Sequence, residues 1–233
     1  EKWPVRPKYS LIDCPDGGSQ SGRLVKPLPG SRYYYSDTYG WFDVSHFGTG
    51  NPAQLIADVE KVVTEGGGVI KVSQGVRDGV TGYTAYYMVS SNVAVEDVIG
   101  AASGIYMDWS IRFEEWQGQT PRSLVGPFTS FSIEDLPTPY LGFFSAAASL
   151  ELEEVFTCYL GSVQGSDGPP HLQVVEEPTA DAMINLPAIE RLTNESFQPM
   201  VLNGEAWQVV AWPAPLRLEP IPNSGRTWFF AAE

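Results

Sequence analysis

The chain has 233 residues, with 28 acidic and 14 basic side chains, and its formal net charge is −14. A chain of this length suits one sizeable core, and its acidic surface argues against nucleic acid as a partner because phosphate backbones would be repelled. No run of 18 apolar residues is present, so we predict no transmembrane segment.

The N-terminal residues 1–32 are rich in proline, glycine and serine, and this composition predicts an irregular arm lying over the rest of the chain. The next segment, "RYYYSDTYGWFDVSHFG", is aromatic and β-prone. It predicts a strand or extended segment that ends at Gly48.

A helix and a hairpin are predicted next. Asn51 suits an N-cap and Pro52 the first helical position, and the glycine run at 66–68 ends the helix. The segments "GVIKVSQG" and "GYTAYYMVSS" then predict two strands, because Asp78 and Gly79 between them form a hairpin signal.

The strongest periodic pattern covers residues 93–117 and predicts a core helix. Its apolar stripe consists of Val95, Val98, Ala102, Ile105, Trp109, Phe113 and Trp116. Asp108 and Arg112 are spaced to pair on its flank. Glu114 lies off the stripe, so we expect it to border a cleft beside this helix.

The C-terminal half contains a predicted helix from about Pro139 to Tyr159, followed by β-structure from about residue 197. Asn203-Gly204 predicts one hairpin, and the Asn-Ser-Gly sequence at 223–225 predicts a second.

These elements predict an α+β fold in one domain, with central helices packed on antiparallel strands. The arm would occupy residues 1–32, the α+β core 33–196, and a β-hairpin tail 197–233 on the same core.

Three features favour a secreted or extracytoplasmic protein. Cys14 and Cys158 are the only cysteines and suit one long-range disulfide, Asn194 begins a glycosylation sequon, and lysine is scarce.

The first candidate for chemistry is Asp43 with His46. A carboxylate near an imidazole orients it and raises its basicity, or both groups ligate a metal. The two positions would face one cleft only if a turn intervenes, since residues three apart in a strand point to opposite sides. The alternative is a structural hydrogen bond at a helix entrance beside Asn51.

Two pairs of acids are the next candidates. Glu114 and Glu115 end the long helix, and a glutamate in a dry aromatic pocket can act as acid or base. Glu134 and Asp135 follow Ser132, a pattern that also fits the capping of a helix start.

Other chemistries find less support in the sequence. It contains no G-x-S-x-G, P-loop, H-E-x-x-H or C-x-x-C motif, so a divalent metal would need His46, Glu114 and further ligands such as His171. Aromatic residues, Trp41 among them, could instead form a carbohydrate-binding face or simply fill the core.

Three segments, "GWFDVSHF", "DWSIRFEEWQG" and "TSFSIEDLPTPYLGF", together resemble a poorly characterised family of exported bacterial proteins over about residues 39–144. Members carry a Gly-x-x-Asp-x-x-His motif, a helix with a glutamate near an aromatic residue, and a Ser-x-Glu-Asp-Leu segment. The resemblance implies a hydrolase-like or metal-binding cleft formed by Asp43, His46, Glu114, Glu134 and Asp135. Many members carry His-Glu on that helix, whereas Phe113 precedes Glu114 here, so one histidine of the family's site is absent.

Three functions therefore stay open at the level of sequence. One is an exported hydrolase, with or without assistance from a metal, in which His46 acts as base or ligand, Asp43 as its orienter and Glu114 as acid, base or second ligand. The others are a binding module for carbohydrate or protein, and a component of a larger extracellular assembly. The sequence does not determine the oligomeric state.

Overall fold

A computed structural model describes residues 10–12, 14–15, 18, 23–25, 32–76, 81–119, 137–166, 199–204, 206–219, 221 and 228–231. Within these ranges the helices are α1 (Pro52–Thr64), α2 (Val98–Gln119), α3 (Pro137–Ala148) and α4 (Leu152–Tyr159). The strands are β1 (Ser10–Ile12), β2 (Arg23–Val25), β3 (Tyr33–Ser36), β4 (Gly40–Asp43), β5 (Gly68–Val76), β6 (Thr81–Val89), β7 (Val163–Ser166), β8 (Met200–Asn203), β9 (Ala206–Val209) and β10 (Trp228–Ala231).

The strands form antiparallel sheets, which together with the helices confirm the predicted α+β fold. The predicted β5–β6 hairpin forms two strands of a three-stranded sheet with the order β10-β6-β5. Its Asp78-Gly79 turn lies outside the described residues. A second sheet has the order β4-β3-β7, and β1–β2 and β8–β9 are separate pairs.

Helix α1 begins and ends where the sequence predicts. Asn51 adopts a left-handed backbone (φ +51°) and its side chain accepts a hydrogen bond from Gln54 N, so it is the predicted N-cap before Pro52. Gly66 and Gly67 take φ values of +86° and +103°, which stop the helix because only glycine adopts them without strain.

The long helix begins later than predicted. A 3₁₀ turn, Val95–Asp97, precedes α2, and Val95 is 65% exposed, so its assignment to the apolar stripe was wrong. The rest of the stripe packs into the core. The predicted Asp108–Arg112 pair is present, with Arg112 Nε 2.8 Å from Asp108 Oδ2.

The single helix predicted over 139–159 is two helices. The chain breaks at Ser149, which has a left-handed backbone (φ +54°), and restarts at Glu151, whose carboxylate forms a capping box with Glu154. Ser149 follows three alanines, and their high helix propensity concealed this break from the sequence pattern.

The tail and the arm also differ in part from prediction. The Asn203-Gly204 hairpin is confirmed as β8–β9. The prediction of a second tail hairpin is wrong. Strand β10 pairs with β6 in the β10-β6-β5 sheet, and residues 217–219 form no strand. The predicted arm is partly regular, since β1 pairs with β2.

Two hydrophobic cores lie within the fold. The first core packs α1 and α2 on β5 and β6, with Trp109 and Tyr87 among its largest buried side chains. The second core packs β3 and β4 against α3 and α4, and the 3₁₀ turn Ala214–Leu216 completes it.

The predicted disulfide is present and belongs to the second core. The Cα atoms of Cys14 and Cys158 are 5.4 Å apart, and the bond ties the N-terminal arm to α4. Of the helices in the described ranges, none is long and apolar enough to cross a membrane.

Candidate functional site

Asp43 is the last residue of β4, and it caps the short 3₁₀ turn Val44–His46 that carries the imidazole. Its side chain is fully buried, and Oδ1 accepts a hydrogen bond of 3.0 Å from Ser45 N. Arg32 donates to the same carboxylate from Nε and from Nη2, the latter at 2.6 Å from Oδ2. A turn, which was the condition for Asp43 and His46 to face one side, therefore lies between them.

The electrostatics of Asp43 fix its protonation state. Burial alone would raise the pKa of the carboxyl group, but hydrogen bonds from Arg32 and Ser45 and the charge of Arg32 together lower the pKa below its ordinary value. The carboxylate is thus ionised at neutral pH and committed to these two partners. It acts on His46 through the backbone of the turn, instead of through the direct pairing that the sequence suggested.

His46 faces Glu114 on α2. The distance from His46 Nδ1 to Glu114 Oε1 is 3.9 Å, and the two side chains are 15% and 6% exposed. This distance is within ion-pair range but longer than a hydrogen bond. The sequence led us to expect that Glu114 borders a cleft beside its helix. In the structure its carboxylate lies next to the 3₁₀ turn that carries His46.

Helix α3 packs closely against the end of the 3₁₀ turn that carries His46. Gly142 lies so close to the turn that a Cβ atom at this position would overlap with the carbonyl oxygen of Phe47. Only glycine allows this approach, because the obstructing atom belongs to the backbone and has no flexible end to move away. The position of His46 is therefore linked to the position of α3.

The residues after His46 are held from two other directions. Tyr106 on α2 donates a hydrogen bond of 2.8 Å to the carbonyl oxygen of Thr49, and burial raises the pKa of its phenol, so that the donor stays protonated. The side chain of Gln74 on β5 accepts from Gly50 N at 2.9 Å. Two elements of the first core, α2 and β5, thus hold the segment that follows the imidazole.

Sequence analysis missed two polar residues beside Glu114. Ser110 and Gln117 are 6% and 8% exposed, and with Glu114 they follow the i, i+4, i+7 spacing of one helix face. Ser110 Oγ is buried beside the phenol of Tyr106, whose own proton is donated to Thr49 O. This spacing is present in the sequence, but the stronger apolar stripe of the same helix dominates the pattern.

Of the remaining predicted residues, only Trp41 has a side chain that the structure describes. Trp41 lies on β4, two residues before Asp43, where its ring contacts Tyr35. Glu115 belongs to α2, but its side chain is outside what the structure describes. Other candidates also lie outside the described residues: Glu134, Asp135, His171 and Asn194.

A metal centre would need more ligands than the pair provides. Within the described part of the chain, no group of three or more His, Cys, Asp or Glu side chains is arranged to hold a metal ion. His46 and Glu114 supply two donors, and Asp43 is bonded to Arg32. The metal site therefore stays a prediction that depends on Glu134 or Asp135.

The candidate site is thus a partly buried His–Glu pair in an α+β fold that contains one disulfide, Cys14–Cys158. Comparisons of the chain with protein-family models, curated proteins and solved structures gave no match. The chemistry of the pair and its surroundings must therefore carry any functional argument.

Proposed function

We propose that the protein is an exported, hydrolase-like protein in which the imidazole of His46 transfers a proton. The carboxylate of Glu114 would orient this imidazole and favour its protonated form. The observation that carries this proposal is the approach of His46 Nδ1 to a buried carboxylate, 3.9 Å from Glu114 Oε1. Burying a carboxylate in an aromatic helix costs free energy unless it is paired. A purely structural position would be filled more favourably by an apolar side chain.

The orientation of the ring assigns the roles of its two nitrogens. Nδ1 faces Glu114, so Nε2, on the opposite side of the ring, exchanges the proton. In hydrolysis Nε2 would take a proton from water as the oxygen attacks the substrate, and would return it to the leaving group. Glu114 would stabilise the imidazolium that forms between these steps, as a carboxylate does in related dyads.

Export is supported by the Cys14–Cys158 disulfide, because such bonds persist in oxidising compartments. A divalent metal would extend the same proposal, with His46 and Glu114 as ligands and with Glu134 or Asp135 completing the set. Metal analysis of the wild type and of His46→Gln tests this extension separately.

A binding module is the second candidate function. It is favoured by Tyr35, an aromatic side chain of the β4-β3-β7 sheet that is 36% exposed. In that case His46 and Glu114 would serve to join the 3₁₀ turn to α2.

The deciding experiment is a screen of the wild type with chromogenic esters, amides, glycosides and phosphoesters, followed by kinetics of two variants. We expect His46→Gln and Glu114→Gln to lose about 100-fold or more in kcat/KM, since general acid–base catalysis contributes on this scale. The ionisation that governs the pH profile should disappear in His46→Gln. Glu60→Gln is the matched control, because Glu60 is an exposed glutamate on α1.

Two results would contradict the catalytic proposal. One is the absence of turnover by the wild type with every class of substrate. The other is full activity in folded His46→Gln protein, with only its thermal stability reduced, which would assign His46 a structural role.

A further inference from the structure

Gln117 is a largely buried polar residue that the proton-transfer chemistry of His46 does not use. It belongs to α2 and is 8% exposed. No hydrogen bond to its amide exists among the residues that the structure describes, and the amide is not sealed from solvent as the indole nitrogen of Trp109 is. The small accessible surface of Gln117 therefore includes its polar end.

Keeping a glutamine at this position costs stability. An amide that is buried without a hydrogen-bond partner is unfavourable, and an apolar side chain of similar size would fill the same space without that cost. The same helix shows this alternative at Ile105, Trp109 and Phe113, which are all buried in the first core. The amide of Gln117 is therefore better explained by a partner that the protein meets in solution.

The position of Gln117 along α2 places it near the imidazole. The segment that carries His46 runs antiparallel to α2, because Thr49 accepts a hydrogen bond from Tyr106 while His46 faces Glu114. Gln117 lies on the same helix face as Glu114 and about 4.5 Å further along the axis, at 1.5 Å per residue. Its side chain thus continues the line of polar groups just beyond the His46–Glu114 contact.

The chemistry of the Gln117 side chain selects the kind of ligand. A carboxamide presents a donor and an acceptor side by side in one plane. In an extended peptide, the N–H and the C=O of one residue point to the same side and form the complementary pair. This pair is electrically neutral, so it is not repelled by the neighbouring carboxylate of Glu114 or by the net charge of −14.

We propose that Gln117 binds the backbone of an extended peptide substrate. Its Nε2 donates to the carbonyl oxygen of one substrate residue, and its Oε1 accepts from the N–H of that residue. One residue of an extended chain spans about 3.3 Å, so the carbonyl that is attacked near His46 belongs to the next residue of the substrate.

This inference rests on the proposed function, because it names peptides and peptide-like acyl esters as the substrates of His46. His46 takes a proton from water while the water oxygen bonds to the substrate carbonyl carbon. The bond from that carbon to the amine nitrogen or the alcohol oxygen then breaks, and the proton passes from His46 to this leaving group. Gln117 is a binding residue and transfers no proton.

The test compares two substrates of the intact protein, the p-nitrophenyl ester of N-acetyl-alanyl-alanine and the same ester methylated on the nitrogen of its first alanine. The methyl group removes the N–H that bonds to Gln117 Oε1. We expect the wild-type kcat/KM to be about tenfold higher for the unmethylated ester, mainly through KM, because the methylated one leaves a buried acceptor unpaired. In Gln117→Leu this ratio should fall to about one.

The matched control is Gln54→Leu, which changes an exposed glutamine on α1 and should keep the wild-type ratio. Thermal unfolding separates binding from a structural role. Gln117→Leu should be at least as stable as the wild type, because it replaces an unpaired amide by an apolar group. Equal kcat/KM of the wild type for the two esters, or a tenfold ratio that persists in Gln117→Leu, would overturn the peptide site.

An NMR titration with N-acetyl-alanyl-alanine amide, which lacks the activated ester, separates this inference from the proposed function. Folded His46→Gln should bind this peptide as the wild type does, and Gln117→Leu should bind it about tenfold more weakly. If His46→Gln kept full activity while this difference in binding persisted, the catalytic role would fail and the peptide site would stand. If no variant bound the peptide while His46→Gln lost activity, the peptide site would fail and the catalytic role would stand.

Discussion

The two cores differ in how far apart along the chain their components lie. The first core is built from residues between Leu55 and Phe113, with Phe143 added from α3. The second core extends from Tyr34 to Leu216 and includes the disulfide. The first core therefore depends on neighbouring helices and a hairpin, whereas the second depends on contacts that close long loops and cost more chain entropy.

The proposed catalytic pair lies where these two cores meet. Glu114 belongs to α2, which packs mainly in the first core, and His46 follows β4 of the second core. Helix α3 contributes Phe143 to the first core and Leu141 to the second, so it joins them beside the His46 turn. The distance between the imidazole and the carboxylate thus reports how the cores fit together.

Removal of the disulfide should produce the largest difference between the cores. Cys14 and Cys158 are 144 residues apart, and closing a loop of that size stabilises a protein by about 5 kcal/mol. We expect the Cys14→Ala/Cys158→Ala variant to lose about this amount in the free energy of unfolding, measured by denaturation in urea. Hydrogen exchange should accelerate more in α4 and β3 than in α1.

The wild type treated with a reducing agent is the control for this variant, because it lacks the bond but keeps both side chains in the sequence. Equal acceleration of exchange in α1 and α4 would show that the cores unfold as one unit. That result would remove the distinction drawn between them.

Substitution of Gly142 should have the next largest effect, and it acts on the junction itself. In Gly142→Ala the new methyl group would overlap with the carbonyl oxygen of Phe47, so α3 and the His46 turn must separate. We expect a loss of about 3 kcal/mol in the free energy of unfolding, at the upper end of overpacking effects. NMR of the His46 ring should show a change in its environment.

The matched control is Gly48→Ala, in the same loop, because a Cβ at Gly48 would meet no atom within 4 Å. This variant should keep both its stability and the His46 resonances. If Gly142→Ala were as stable as Gly48→Ala, the close approach of α3 to the turn would be incorrect.

The sequence predicted the first core better than the second, for a physical reason. Helix α1 and the β5–β6 hairpin contain their own stop and turn signals, such as Asn51 and the glycine run, so local patterns determine them. The pairing of β7 with β3, in the sheet of the second core, connects distant segments. So does the pairing of β10 with β6, the one part of the first core's sheet that local patterns did not predict. No local pattern specifies such partners, and the second tail hairpin was therefore predicted wrongly.

The same distinction applies to the candidate site. The sequence identified His46, Asp43 and Glu114 as residue types suited to proton transfer, and its glycines permitted a turn between Asp43 and His46. The partner of each was not predictable, because Arg32 reaches Asp43 across the β3–β4 pair and Glu114 reaches His46 from a helix far along the chain. Ser110 and Gln117 were recognisable only as positions on the same helix face as Glu114.

The smallest predicted effect concerns Asp43 and depends on pH. The folded pKa of Asp43 is below the unfolded value of about 3.9, so its contribution to stability is complete above that value and is lost as the pH falls through the folded pKa. Asp43→Asn should lower the free energy of unfolding by about 1–2 kcal/mol at pH 7, because the cap and Arg32 both lose their charged acceptor. The loss stays modest because the Arg32 side chain is 55% exposed and is readily rehydrated. The difference in unfolding free energy between wild type and variant should shrink below about pH 4.

The exposed Asp97→Asn variant is the control. A difference between wild type and Asp43→Asn that stayed constant at acidic pH would show that the Arg32–Asp43 pair does not stabilise the turn.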